Sequence, residues 1–201
     1  VDTTASDKTP PPPPLALRTN RSANNFWQSD AQFTVQWQVP LDQSGLKTAF
    51  YKIGSPPTLN SDYSGSVAAE GPLPLLLNRQ GLTPVYIWLM DRRNNADYRN
   101  RGRIDLGYDA TAPVLSGFEI LNAGARSRWF NPLKTDSAHL RLQYEEAHAD
   151  SLFLFAAAAA FSQKRAGAAS GTNVSFPFTF KIAGLGDGPC LFSATVTDSA
   201  A

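Results

Sequence analysis

The chain is 201 residues long, with 18 Lys and Arg against 17 Asp and Glu, for a formal net charge of +1. That near-balance removes the surplus of positive charge on which a phosphate-gripping protein depends, so no nucleic-acid partner is expected. Hydrophobic residues at 42% exclude global disorder, and the length suits one large domain or two small ones.

A single cysteine, Cys190, excludes an internal disulfide and a Cys-rich zinc site, and two histidines exclude a His-rich metal centre. No apolar run reaches about 18 residues, so no membrane-inserting helix is expected. Val1 is followed by no basic stretch and apolar run of the kind that opens a secretory signal. A signal for export would lie outside this chain.

Residues Pro10 to Pro14 are five consecutive prolines. They can neither pair in a sheet nor continue a helix, and they favour polyproline II. Residues 1–14 are therefore assigned to the tail of a preceding unit and a stiff Pro-rich spacer. A ligand for an aromatic-groove domain is the rarer use of such a run.

From Phe26 onward, short apolar runs alternate with turn residues. Phe33, Val35, Trp37 and Val39 occupy every second position, with Thr34, Gln36 and Gln38 between them. A period of two places one row on a core and the other toward water. Val85 to Leu89 form a second strand rich in β-branched and aromatic residues, and Ala49–Ile53 and Arg103–Tyr108 are further candidates. Pro40, Gly45, Gly65, Gly71 and Gly81 punctuate the runs. Strands at this spacing predict a sandwich or barrel.

The second half repeats the first. Phe33, Val35 and Trp37 correspond to Leu140, Leu142 and Tyr144 at an offset of 107 residues, and Gln36 to Gln143. Asp91 and Asp198, each closing an apolar strand, give the same offset. So do Asp2, in Val1–Ala5, and Asp109, in Tyr108–Ala112. Three matches at one offset predict an all-β chain of two tandem immunoglobulin-like sandwiches, residues 15–110 and 111–201. Pro113 breaks any strand at the junction. Asp187-Gly188 predicts a tight hairpin between Phe176–Ile182 and Leu191–Thr197.

Ala201 corresponds to Asn94, so the second unit lacks a counterpart of Asn95 to Gly107 and with it the last strand. The expectation is a fragment of a longer repeat array, or a sandwich whose gap another chain fills by strand addition. Phe155 to Phe161 carry an alanine run with helix propensity, which predicts a short helix across the end of the second sandwich.

At these residues a family becomes recognisable. Asp42-Gln43-Ser44-Gly45-Leu46, followed by Ala49 to Gly54, resembles the "D-x-S-G-I … Y-x-I-G" pattern of bacterial surface Ig-like and fibronectin type III-like repeats. Val85 to Asp91 resembles their Trp-centred strand and Asp turn. Tyr108 to Pro113 resembles their "Y-D-x-T-A-P" junction, and Thr195 to Ala200 their final strand, cut before its Gly-Asn. Arg93-Asn94-Asn95 lacks the turn glycine, and Cys190 stands where an aromatic is common. The resemblance implies an extracellular, modular, mostly non-catalytic protein and specifies no ligand.

Trp37, Trp88 and Tyr144 are expected in the cores, and Tyr108, Asp109 and Pro113 at the junction. Trp27 and Trp129 lie nearer module entrances and are weak candidates for a surface platform. Arg92 and Arg93, in a cluster with Arg99, Arg101 and Arg103, could grip carboxylates or phosphates. The interleaved Asp91, Asp97 and Asp105 favour the plainer reading of a solvated loop. Asp91, Asn94, Asn95 and Asp97 offer oxygen donors in one loop, yet without EF-hand spacing, and Asx side chains usually bond their own backbone in such turns. No metal or cofactor is assigned. Glu145 and Glu146 point to opposite faces of a strand and make no acid–base pair. His139 and His148 have no nucleophile motif beside them, and no catalytic motif occurs. The chain is accordingly expected to be a structural module of an exported bacterial surface protein, appendage or filament. Its expected partners are copies of itself or other surface chains. The alternative is a polysaccharide-binding accessory module of a secreted hydrolase, which requires a row of exposed aromatics on one sheet face.

Overall fold

A computed structural model describes residues 7–20, 26–121, 137–157, 162–181 and 191–200. The Val1–Ala5 motif, Trp129, the turn at Asp187-Gly188 and Cys190 lie outside the described residues. The chain divides into two compact units, Val1–Ala110 and Thr111–Ser199.

The first unit contains β1 (Leu15–Thr19), β2 (Trp27–Gln28), β3 (Gln32–Gln38), β4 (Leu46–Ile53), β5 (Gly65–Ala68), β6 (Leu73–Leu76), β7 (Gly81–Asp91) and β8 (Ala96–Tyr108). One sheet has the order β1-β3-β6, the other β2-β8-β7-β4-β5. Strand β3 shows why they stack. Phe33, Val35 and Trp37 turn inward and the glutamines outward, as the period of two requires. Ala49, Val85, Ile87, Leu89 and Leu106 meet them from the facing sheet.

The second unit contains β9 (Val114–Ile120), β10 (Ser137–Glu146), β11 (Ala149–Ala157), β12 (Ser162–Gly167), β13 (Gly171–Lys181) and β14 (Leu191–Asp198). Its sheets run β9-β10-β13 and β12-β11-β14. These orders repeat β1-β3-β6 and β5-β4-β7, with Leu140, Leu142 and Tyr144 in the places of Phe33, Val35 and Trp37. Both units are immunoglobulin-like β-sandwiches. Among the described residues, β14 pairs only with β11, and no strand takes the place beside it that β8 holds in the first unit.

Two of the prolines inside strands sit at sheet edges, where a missing donor costs least. Pro74 and Pro177 lie on the edge strands β6 and β13. Pro84 lies in β7 just beyond the last pair with β4, Ile53–Val85.

The repeat extends to one interaction in each core. Trp37 Nε1 donates to Ala69 O at 2.8 Å. Tyr144 Oη donates to Ala169 O at 2.7 Å and accepts from Ala169 N at 3.0 Å. A large aromatic ring fills the core while its polar hydrogen satisfies a loop carbonyl. Burial pushes the Tyr144 phenol pKa up, against the bond to Ala169, so it stays protonated and can donate. Gly71 lets the loop after Ala69 pass this close. It has φ +70°, and a Cβ there would stand 3.1 Å from the Trp37 ring.

Two expectations are corrected. The predicted helix over Phe155–Phe161 is absent from its described part: Phe155, Ala156 and Ala157 belong to β11, paired with Ser193, Phe192 and Leu191. Ladder bonds override the helix propensity of alanine. The Pro-rich segment does not stand off as a spacer. Pro11 and Pro14 are buried, and Leu17 continues the same three-residue period onto the core. Polyproline II makes no internal hydrogen bonds, so its carbonyls need outside donors. Asn100 Nδ2 donates to Pro11 O at 3.0 Å, and Asn95 Nδ2 to Asp7 O at 2.9 Å. Gly102 leaves room on β8 where Leu17 and Pro14 cross it. Trp88 is wholly buried, in keeping with a core residue, and it lies outside the space between the two sheets. Alternation turns it and Tyr86 away from Val85, Ile87 and Leu89, onto the outer face beside Phe50. Its Nε1 has no hydrogen-bond partner among the described residues.

The two tryptophans therefore differ in a measurable way. Trp37→Phe and Trp88→Phe remove similar volumes, but the first orphans the Ala69 carbonyl and the second removes an unsatisfied donor. Urea unfolding should show Trp37→Phe to be the more destabilising by about 1–3 kcal/mol. Equal losses would show that the Ala69 bond contributes nothing net.

Candidate functional site

The outer edge of β14 is the first candidate. An edge strand presents unpaired N–H and C=O groups along its length. Leu191 at its start is 70% exposed, and Ser193 and Thr195 are exposed along one face, while Val196 points into the core. In the first unit the corresponding edge of β7 is covered from Gly81 to Met90 by β8.

The outer face of the five-stranded sheet is the second. Register places Phe50, Trp88 and Arg101 in one row, and Lys52, Tyr86 and Arg103 in the next. The guanidinium groups of Arg101 and Arg103 lie over Tyr86, at 5.8 and 5.9 Å from the ring centroid. Phe50 stacks on Tyr63 at 4.8 Å. The row of aromatics is thus covered by its own neighbours: Trp88 and Tyr86 are buried, and Tyr63 is 47% exposed. Much of the charge is paired. Arg103 donates to both Asp105 oxygens, at 2.9 and 3.1 Å, and Lys52 pairs with Asp62. The Lys52 ammonium and donors on Thr58 hold the Asp62 carboxyl at about 2, below its ordinary value.

Arg92 and Arg93 are exposed in the turn after β7. That turn is built by Asp91, which is wholly buried. Its Oδ1 accepts from Arg93 N and Asn95 N, both at 2.8 Å, and its Oδ2 from Asn95 Nδ2 at 2.7 Å. Burial pushes the Asp91 pKa up, but the bonds from Asn95, Ser44 and Arg93 outweigh it and the net shift is down. Asn94 takes φ +67°, the left-handed conformation usual for glycine and tolerated by asparagine, and this explains the missing turn glycine. Asn94 and Asp97 do not join Asp91 as common ligands. Asn94 Oδ1 accepts from Lys47 Nζ, and Asp97 Oδ1 from Arg99 N. Two residues the sequence reading did not connect stand there instead, Asp7 and Asp42. Nothing in the sequence pairs positions so far apart; the Asx turn at Asp42-Gln43-Ser44 was the single local signal.

Trp27 is half-buried, with Phe26 edge-on at 5.6 Å. Both rings lie on Gly107, where a Cβ would be 2.9 Å from each, so Trp27 packs on its own sandwich. Tyr108 is half-buried against the first core, and the buried Asp109 donates its N–H to Gln28 O at 2.9 Å. Pro113 is half-buried ahead of β9.

No protein-family model matches the sequence, and no curated protein matches it. Among solved structures, the chain is similar to the Clostridium perfringens spore cortex lytic enzyme SleM at 15% identity and a TM-score of 0.35, over 49% of this chain and 28% of that one. It is also similar to the FN1–FN3 domains of chicken CNTN1 at 10% identity and a TM-score of 0.37, over 95% of this chain and 64% of that one. The chain spans less than two thirds of either structure's length, and at these scores the likenesses carry no argument for activity or ligand. No helix among the described residues is long and apolar enough to cross a membrane.

The Lys52–Asp62 pair yields a prediction with a definite sign. Asp62 titrates lower in the fold than in the unfolded chain. Its contribution is therefore complete above about pH 4 and lost as pH falls through about 2. Melting temperatures of the wild type and Asp62→Asn should differ at neutral pH, in favour of the wild type, and converge below pH 2. A gap that persists in acid would mean that hydrogen bonds to Thr58, and not the charge, set it.

Proposed function

We propose that the chain is a structural, non-catalytic module of an exported bacterial cell-surface protein, appendage or filament, working through strand addition and packing between subunits. The observation that carries this reading is the sheet order: among the described residues no strand lies beside β14 in the place that β8 fills in the first unit. An added strand gains main-chain hydrogen bonds along that edge, and side-chain alternation gives it a register. Copies of the chain or other surface chains are the partners that fit. Sandwiches that bury their cores internally make stiff rods when repeated, and a net charge near zero favours close approach between them. The bacterial and extracellular parts of the proposal rest on the resemblance of Asp42–Gly54, Val85–Asp91 and Tyr108–Pro113 to surface repeats.

The test is a synthetic peptide with the β8 sequence, Ala96–Tyr108, titrated into the intact protein. Saturable binding with a raised melting temperature is expected, together with concentration-dependent oligomers or filaments by sedimentation and electron microscopy. Leu191→Lys with Thr195→Lys charges the exposed edge and should weaken both at least tenfold. A wild-type protein that neither binds the peptide nor self-associates would end this reading.

A further inference from the structure

The place beside β14 has a second wall. In the first unit β8 pairs with β7, and Pro14 and Leu17 cross its inner face at Gly102. The repeated sheet order puts β14 where β7 stands and β9 where β1 stands. An occupant of the corresponding place in the second unit therefore meets β14 along its backbone and β9 across the gap between the sheets.

Both walls are apolar. On β14, Phe192, Ala194 and Val196 pack on the second core, as Val85, Ile87 and Leu89 of β7 pack on the first. On β9, Phe118 pairs with the buried Leu142, and residues directly opposed on neighbouring strands project to the same face. Phe118 thus belongs to the inward row. Ile120 of that row packs on the core, yet Phe118 is 40% exposed, and Leu115, the register partner of Tyr144, is exposed too. In the first unit the place of Phe118 is held by Thr19, opposite Val35 and half-buried. An inward-facing phenylalanine left in water is apolar surface that an added strand would cover.

We propose that Phe118 is the residue by which this place selects its occupant. The occupant is an extended segment of a second polypeptide chain that runs antiparallel to β14 and sets a branched apolar side chain between Phe118 and Phe192. The first unit shows the chemistry required. Strand β8 is antiparallel to β7 and sets Ile104 opposite Val85, the counterpart of Phe192, while Ile104 and Leu106 pack on the core. The N-terminal segment runs the same way as β8, through Asp7 at Asn95, Pro11 at Asn100 and Leu17 at Gly102. Two residues further on, Thr19 comes level with Ile104. The same alignment in the second unit brings Phe118 level with the residue that faces Phe192. None of the side chains lining the place is charged, so a charge on the inner row of the added strand would be buried unpaired. This inference rests on the strand addition proposed above. Backbone pairing along β14 accepts any strand, and Phe118 makes the site discriminate.

The experiment titrates the intact protein with the β8 peptide, Ala96–Tyr108, by calorimetry, and with two variants of that peptide. Ile104→Ser removes the side chain that reaches Phe118 and should weaken binding about tenfold or more. Arg103→Ser, on the outer row, should change it little. In the protein, Phe118→Thr installs the residue the first unit uses. It should weaken binding of the unaltered peptide about tenfold or more and shrink the penalty for Ile104→Ser, as expected of two side chains in contact. If Phe118→Thr fails to fold, the two peptide variants on the wild type decide the matter alone. No binding of the unaltered peptide would end the strand-addition reading and this inference with it. Binding that is indifferent to both Phe118→Thr and Ile104→Ser would leave strand addition standing and overturn the role of Phe118. A wild-type dimer that Phe118→Thr dissociates and the peptide does not would give the place to a second copy and overturn the choice of occupant.

Discussion

Each sandwich is organised around one requirement: a large aromatic side chain closes the core, and its polar hydrogen must be satisfied inside it. Trp37 and Tyr144 meet that requirement in the same way, each bonding an alanine carbonyl of a crossing loop. The bond joins a β-sheet residue to a loop. It also places that loop over the end of the core, which explains why Gly71 must adopt φ +70° against the Trp37 ring. Different side chains, an indole and a phenol, solve the same geometric problem because both combine a flat apolar body with a donor at the rim.

The same accounting of polar groups governs the periphery of the first unit. The proline run makes no hydrogen bonds of its own, so Asn95 and Asn100 bond carbonyls of the N-terminal segment. The backbone and side-chain donors around Asp91 outweigh the cost of burying its charge. Among the described residues three features stand outside this pattern: no strand lies beside β14 on its outer side, and neither Asp7 Oδ2 nor Trp88 Nε1 has a hydrogen-bond partner. The first is where a partner chain is proposed.

Much of the architecture was legible in the alternation of apolar residues. Phe33, Val35 and Trp37, and the matching Leu140, Leu142 and Tyr144, marked two inward rows and the repeat that relates them. The alternation could not say which of two buried faces a residue occupies. Strand β7 is covered on both sides, so Trp88 and Ile87 are equally buried while lying on opposite faces of the sheet. Propensity failed at Phe155–Ala157, where alanines that favour a helix pair instead with β14. The arginine cluster was visible as a run of charge. Its pairing was not, because Tyr86 and Asp105 approach through strand register and local turn geometry.

The sequence by itself determined the fold class and the tandem repeat, because side-chain periodicity and turn residues are local properties that survive in one dimension. Tertiary structure alone decided that the prolines lie on the sandwich, and that Asp7 and Asp42 stand beside Asp91. Those contacts join segments separated by dozens of residues, and only the folded path of the backbone brings them within reach of one another.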